Sequence, residues 1–301
     1  MTTSNAVASP PTSPVRRLAT AFYRHPRLQL TTLLAAPLGW LVIAYLGSLV
    51  LFLITSFWHL DHFSGNIVTT PTLDNYREII SDPTGIYRTI TLRTVAMALL
   101  VTATDIALAF PIAFFMARVA SSRTRGLLAV SVMLPLWSGY LVKVYAWRLI
   151  LSENGVLNWV LAPFGLQGPG YSIQAVWIVE SYLWLPYMII PIYAGLERIP
   201  NSLLEASSDL GGRAGITFRR VIVPLALPAI VAGAIFTFSL TLGDYITPTL
   251  VSNTKFIGNV IYDLVGVAGN QPLAAAYAMV PVTIMLVFLL VARRLGAFDA
   301  L

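Results

Sequence analysis

Apolar positions fall in long unbroken runs rather than at alternating or narrow amphipathic spacing. From Leu28 to Trp58 no residue carries a full charge, and further runs cover about Thr94–Ala117, Gly126–Leu149, Ala175–Leu196, Leu225–Leu250 and Ala274–Ala292. Each is close to or longer than the roughly 20 residues that a helix needs to cross the hydrocarbon core. The pattern predicts an all-α integral membrane protein with about six transmembrane helices. Residues 1–32 read as a polar, then basic N-terminal tail, 33–57 as the first transmembrane helix and 58–88 as a hydrophilic segment. Within that segment "TLDNYREIIS" predicts a short amphipathic helix. Residues 89–296 hold the remaining five helices as one transmembrane domain, and 297–301 form a short tail. A cleaved leader would have an apolar core of roughly 7–15 residues followed by a small-residue cleavage site. The run at Leu28 fits an anchor instead.

Composition supports the membrane reading. Only 11% of the 301 residues are charged and 57% are hydrophobic, whereas soluble domains carry about 25% charged residues. The chain has no cysteine, which excludes disulfides and thiolate metal sites. The net charge of +6 comes from short basic clusters between apolar runs, which suits anionic lipid rather than nucleic acid.

Basic residues in the loops predict orientation, because cytoplasmic loops are enriched in Lys and Arg. Arg16, Arg17, Arg24, Arg27, Arg118, Arg123, Arg125, Arg198, Arg213, Arg219, Arg220, Arg293 and Arg294 lie at one set of ends. Arg77, Arg88, Arg93, Lys143, Arg148 and Lys255 lie at or near the other, 13 against 6. Both termini are therefore expected in the cytoplasm. Pro111, Pro135, Pro186, Pro191, Pro228 and Pro281 interrupt the apolar runs, either as packing kinks or as bends around a pathway.

One polar stretch breaks the pattern between the fourth and fifth runs: "NSLLEASSDLGGRAGITFRRVIVP", from Asn201. Ser202 and Glu205 have the spacing of a capping box. Leu203, Leu204, Ala206 and Leu210 form an apolar stripe, and Gly211-Gly212 predicts the helix end. At 1.5 Å per residue this helix is about 14 Å long, half of a span. It is either a capped interfacial helix without a partner or one that docks into a groove on another protein.

Asp105, Glu180 and Asp244 lie within apolar runs. An ionised carboxylate there costs at least a few kcal/mol unless it faces a cavity or a cation. The acids either pair inside the membrane, with Lys143 or Arg148, or line a cation pathway. For the second reading, Tyr245, Trp147 and Trp184, with Tyr140, Tyr145, Trp137 and Tyr182, supply aromatic faces to ammonium groups. His59, Asp61 and His62 ("HLDH") read as a hydrated rim, and no metal site or catalytic constellation is expected. The only lysines, Lys143 and Lys255, do not follow glycine, so no GxxxxGK[ST] phosphate loop exists in the chain.

Glu205-Ala206-Ser207, then Gly211, then Val221-Ile222-Val223-Pro224 resembles the EAA loop of permease subunits of ABC importers. That pattern is Glu-Ala-Ala, three residues, Gly, nine residues, Ile-x-Leu-Pro; Ser207, Val221 and Val223 depart from it. "MLPLWSGYLVKVYAWRLILSENGVLN", "GDYITPTLVSN" and "RRLGAFDAL" resemble the spermidine/putrescine subfamily. The resemblance runs from about Asn75 to the C-terminus. It implies a type I importer permease of the bacterial inner membrane with a coupling helix in loop 200–224. Glu205, Ala206, Ser207, Leu210, Gly211, Arg213 and Pro224 would form the contact with an ATPase, with Arg213, Arg219 and Arg220 anchoring to membrane lipid. It implies a second permease subunit, two ATPase subunits and an extracytoplasmic solute-binding protein. ATP and Mg would be bound by the ATPases, with no cofactor or enzymatic activity in this chain. The small-molecule substrate would be a polyamine or another small solute. From the residues alone, an ion-coupled secondary transporter using Asp105, Glu180 and Asp244 is the rival, and a membrane assembly protein without a pathway a third.

Overall fold

The structure, a computed structural model, describes residues 26–61 and 63–294. The N-terminal tail to His25, the second histidine of the rim (His62) and the final tail lie outside the described residues.

The chain divides into two units at Ile54–Thr55. The first contains helix α1, which runs through Pro26–Trp40, a π-helical stretch Leu41–Leu46 and Gly47–Thr55. Its stretch Leu30–Thr55 carries no charged residue and is long and apolar enough to cross a membrane.

The second unit opens with a small antiparallel hairpin, β1 (His59–Leu60) with β2 (Ile67–Val68), His59 facing Val68. Asp61 in its turn accepts from Phe63 N (3.0 Å) and Ser64 Oγ (2.7 Å), and these bonds hold its carboxyl below the usual range. The amphipathic segment forms α2 (Asp74–Ile80). Its Asn75 is buried and donates to Ser56 O and Trp58 O, which ties the segment to the hairpin's base.

Helix α3 (Ile86–Arg118) follows, beginning inside the interval 58–88. Asp82 fixes its start. The carboxylate accepts from Thr84 Oγ1 (2.6 Å), Thr84 N (2.9 Å) and Tyr87 N (3.2 Å), which lowers its pKa. The run at Gly126–Leu149 does not form one straight span. It is two helices, α4 (Ser122–Trp137) and α5 (Tyr140–Leu151), bent by 95° at Ser138-Gly139. Pro135 has no N–H to continue the ladder. Ser138 and Gly139 are extended (ψ 141 and 138), and Ser138 Oγ takes the freed Pro135 carbonyl at 2.9 Å. Helix α6 (Val156–Leu161) and a 3-10 turn then lead to α7 (Ile173–Glu197).

The polar stretch forms α8 (Asn201–Asp209). The expected capping box is absent: Pro200 occupies the N-cap, so Ser202 falls inside the first turn and no side chain caps the start. The glycine stop is present. Gly211 has φ +77°, and Gly212 N donates to Ser207 O at 2.8 Å, closing the helix as a Schellman turn. The stripe also divides: Leu204 packs inward while Leu203, Ala206 and Leu210 face out.

Helix α9 covers Ala214–Gly243, with a π-helical turn at Phe218–Ile222 just before Pro224. The run predicted to Leu250 breaks at Asp244, whose extended backbone (ψ 127°) starts a separate short helix, α10 (Ile246–Val251). Helix α11 (Ile257–Gly266), not expected from the apolar runs, precedes α12 (Gln271–Arg294). Among the described residues five helices are long and apolar enough to span, and the bent pair α4–α5 brings the number to six.

The spans α3, α7 and α9 pack on one another and form the core. One cluster joins Met97 and Val101 to Val176, Val179 and Leu183; another joins Ala109, Ala113 and Met116 to Met188, Ile192 and Leu196. Helices α3 and α7 therefore run parallel, with α9 antiparallel to both. Gly233 lets α9 approach α7: a Cβ there would lie 3.2 Å from Met188 Cα.

Candidate functional site

Two polar features stand out in this apolar unit: a buried layer inside the α3–α7–α9 core and the exposed helix α8 at its basic end.

The buried layer gathers all three intramembrane acids. Asp105 (0% exposed), midway along α3, and Glu180 (1%), two turns into α7, are fully buried, and Asp244 (9%) closes α9. Asp244 and Asp105 both lie near enough to Glu180 for their charges to act on it. Thr237 and Thr241 of α9 and Trp184 of α7 are also buried. Helix contacts place them here, because Gly233 meets Met188 and Thr237 and Thr241 follow one and two turns further along.

The acids differ in their partners. Asp244 is held by four donors: the single Tyr140 hydroxyl lies 2.6 Å from both carboxylate oxygens, Thr247 Oγ1 donates at 2.6 Å, and Ile246 N and Thr247 N follow at 2.9 and 3.3 Å. Its aspartate thus braces α5 against α10. Both oxygens of Asp105, Oε2 of Glu180, Ser181 Oγ, Thr237 Oγ1, Thr241 Oγ1 and Trp184 Nε1 are buried without a hydrogen-bond partner. A native interior leaves few such groups, and seven atoms near one level of the bundle make this the polar centre of the unit. Ionised carboxylates at this depth call for a cation.

No ion pair among the described residues joins Lys143 or Arg148 to these acids. Helix α5 turns Tyr140, Val144 and Leu151 toward the core. Arg148 instead lies 5.8 Å from the centroid of the Tyr171 ring. Of the aromatic residues, Trp184 belongs to the layer, stacked on Tyr140 at 5.8 Å and 9°. Trp147 packs edge-on against Tyr182, and Tyr245 stacks on Tyr262. Sequence reasoning missed the hydroxyls of Thr237 and Thr241. Their i, i+4 spacing, three residues from Asp244, is the signal that could have found them.

Helix α8 has the opposite character. Glu205 and Ala206 are exposed, and Leu210 is 90% exposed at its tip. Ser207 faces inward and pairs with Thr217 Oγ1 at 2.8 Å. Gly211 supplies the left-handed turn, Arg213 caps the start of α9, and Pro224 sits at the join between π-turn and α-helix. The structure thus puts six of the seven motif residues on or beside one exposed element, with Pro224 a few turns along.

A spanning bundle with a buried polar centre and a short exposed helix at one end is the architecture of a membrane permease. The chain belongs to the family described as binding-protein-dependent transport system inner membrane component, whose profile matches residues 109–298. It is a multi-pass inner-membrane protein and the permease subunit of an ABC importer. It is 42% identical over 313 aligned positions to the inner membrane ABC transporter permease protein YdcU of Escherichia coli K12, covering 99% of each chain. It is 34% identical to the spermidine/putrescine transport system permease protein PotB of Salmonella typhimurium, over 74% of this chain and 78% of that one. Its fold matches a chain of the bacterial alginate ABC transporter solved with an alginate pentasaccharide-bound periplasmic protein. The TM-score is 0.68 and the identity 18%, over 93% of this chain and 97% of that one. Family membership overturns the secondary-transporter and assembly-protein alternatives.

Proposed function

We propose that this permease carries a small cationic solute, a polyamine such as spermidine or putrescine, through the α3–α7–α9 core. The observation that carries the reading is the layer of Asp105, Glu180 and Asp244, two of them fully buried with carboxylate oxygens that no group among the described residues satisfies. Ammonium groups supply the missing charge and donors, and Trp184 offers a face to the adjoining methylenes. The relatives named as spermidine/putrescine permeases support the same class.

In this reading both termini and α8 face the cytoplasm, in line with the arginine distribution. Helix α8 inserts Glu205, Ala206 and Leu210 into a cleft of a separate ATPase subunit, which binds ATP and Mg. The full assembly has a second permease subunit, two ATPase subunits and an extracytoplasmic solute-binding protein that delivers the solute to the opposite end. ATP binding drives the outward-facing state through Glu205–Gly211, and hydrolysis resets it. Arg213, Arg219 and Arg220 rest on lipid headgroups.

The test is uptake of labelled spermidine and putrescine by the complete transporter in proteoliposomes. Glu180→Gln keeps the side-chain volume and removes the charge, and uptake falls by about tenfold or more, as expected for the loss of a buried charge-assisted contact. Unchanged uptake by a properly assembled Glu180→Gln transporter removes the acid layer from the pathway.

A further inference from the structure

Helix α8 is joined to the rest of the unit at few points. Leu204 enters the cluster around Ala109, Ala113, Met116 and Ile192. Ser207 pairs with Thr217 at the start of α9. The third attachment is Arg118, the last residue of α3. Its Nη1 donates to Asn201 Oδ1 at 2.9 Å, and its Nη2 donates to Leu196 O at 2.6 Å and Ile199 O at 2.7 Å. One guanidinium therefore joins the end of α3, the Leu196 carbonyl in the last turn of α7, the Ile199 carbonyl in the link and the first residue of α8. The Leu196 carbonyl also accepts from Ile199 N at 3.3 Å, so the guanidinium adds to the turn that ends α7, and a cation at that place also complements the helix dipole.

This geometry goes beyond anchoring. The chain connects α8 covalently to α7 and α9, but not to α3. Leu204 packs on an apolar cluster drawn from α3, α7 and α9, a contact that can slide, whereas the Arg118 fork makes directed bonds that cannot. Asp105 lies 13 residues up the same helix, about 20 Å from Arg118 at 1.5 Å per residue. A continuous helix, with Pro111 between the two, thus links Arg118 beside α8 to Asp105 in the buried acid layer, and Arg118 is where it is gripped.

We infer that Arg118 is a positioning residue for transport: its guanidinium transmits movement of α8 to α3 and so to the acid layer. The inference rests on the reading of α8 as the ATPase contact. The planar fork is essential to the role, because a lysine ammonium carries the charge without the fixed two-armed geometry.

The experiment measures spermidine uptake and ATP hydrolysis in the same proteoliposomes, with the complete transporter. Arg118→Met, close in length and apolar, is expected to retain the ATPase on purification and to hydrolyse ATP. Uptake per ATP falls by about fivefold or more, the lower end of a typical coupling effect. Arg118→Lys recovers only part of this. Asn201→Ala removes only the bond to α8, at an exposed position, and gives a smaller fall in the same ratio. It decides the matter if Arg118→Met does not assemble. An unchanged ratio in the assembled variants overturns the inference. Glu205→Arg separates this from failure of the underlying reading. If it leaves ATPase binding intact, α8 is not the ATPase contact. If it abolishes binding while Arg118→Met stays fully coupled, only the role of Arg118 falls.

Discussion

The acid layer and helix α8 are both polar interruptions of an apolar chain, yet they stand in opposite physical situations. Asp105 and Glu180 are enclosed by α3, α7 and α9 and find no partner for three of their four oxygens. Glu205 is exposed to solvent. A polar group tolerated in the first setting needs a compensating ligand or a proton, whereas one in the second needs no reason to exist within the fold. The layer therefore points to something that enters the bundle, and α8 to something that meets it from outside.

The comparison is broken most severely by disturbing the packing that creates the layer. Gly233→Leu places a side chain against Met188, where even a Cβ lies 2.7 Å from Sδ and 3.2 Å from Cα. Overpacking of this kind costs about 1–3 kcal/mol. The expected result is a lower melting temperature in detergent and little assembled transporter; an unchanged thermal profile contradicts the close α7–α9 approach.

Leu210→Asp probes the other region. The side chain is 90% exposed, so the fold has no stake in it and the thermal profile should not move. The isolated permease stays intact while its affinity for the ATPase subunit drops by about tenfold, a typical loss for one central apolar anchor. Equal ATPase retention on affinity purification removes Leu210 from the contact.

Tyr140→Phe gives the smallest effect and sharpens the layer itself. It deletes the phenol that reaches both oxygens of Asp244 but keeps the ring stacked on Trp184. One hydrogen bond to a charged group is worth about 1.5–3 kcal/mol, and Ile246 N, Thr247 N and Thr247 Oγ1 remain to share the loss. A several-fold weaker spermidine uptake with normal ATPase retention is expected. A defect as large as that of Glu180→Gln would make Tyr140 a direct ligand rather than a brace.

Much of this was legible from the chain. The spans were visible because a 20-residue apolar run has few other uses, and α8 because its Gly211-Gly212 stop and short length do not depend on distant contacts. The α4–α5 bend escaped because apolar sequence continues through Ser138-Gly139, and only the backbone there shows the 95° turn. The capping box expected at Ser202 and Glu205 does not form, for a local reason: Pro200 takes the cap position and Asn201 is drawn to Arg118.

The sequence by itself determined the solvent, the number of spans and the family, since these follow from summed hydropathy and from residues adjacent in the chain. Tertiary structure alone decided that Asp105, Glu180 and Asp244, separated by up to 139 positions, meet in one layer. It alone decided that Asp244 is satisfied while the other two are not, and that Arg118 grips α8. Hydrogen bonding and desolvation depend on distances between helices, and no spacing along a chain encodes those distances before the helices pack.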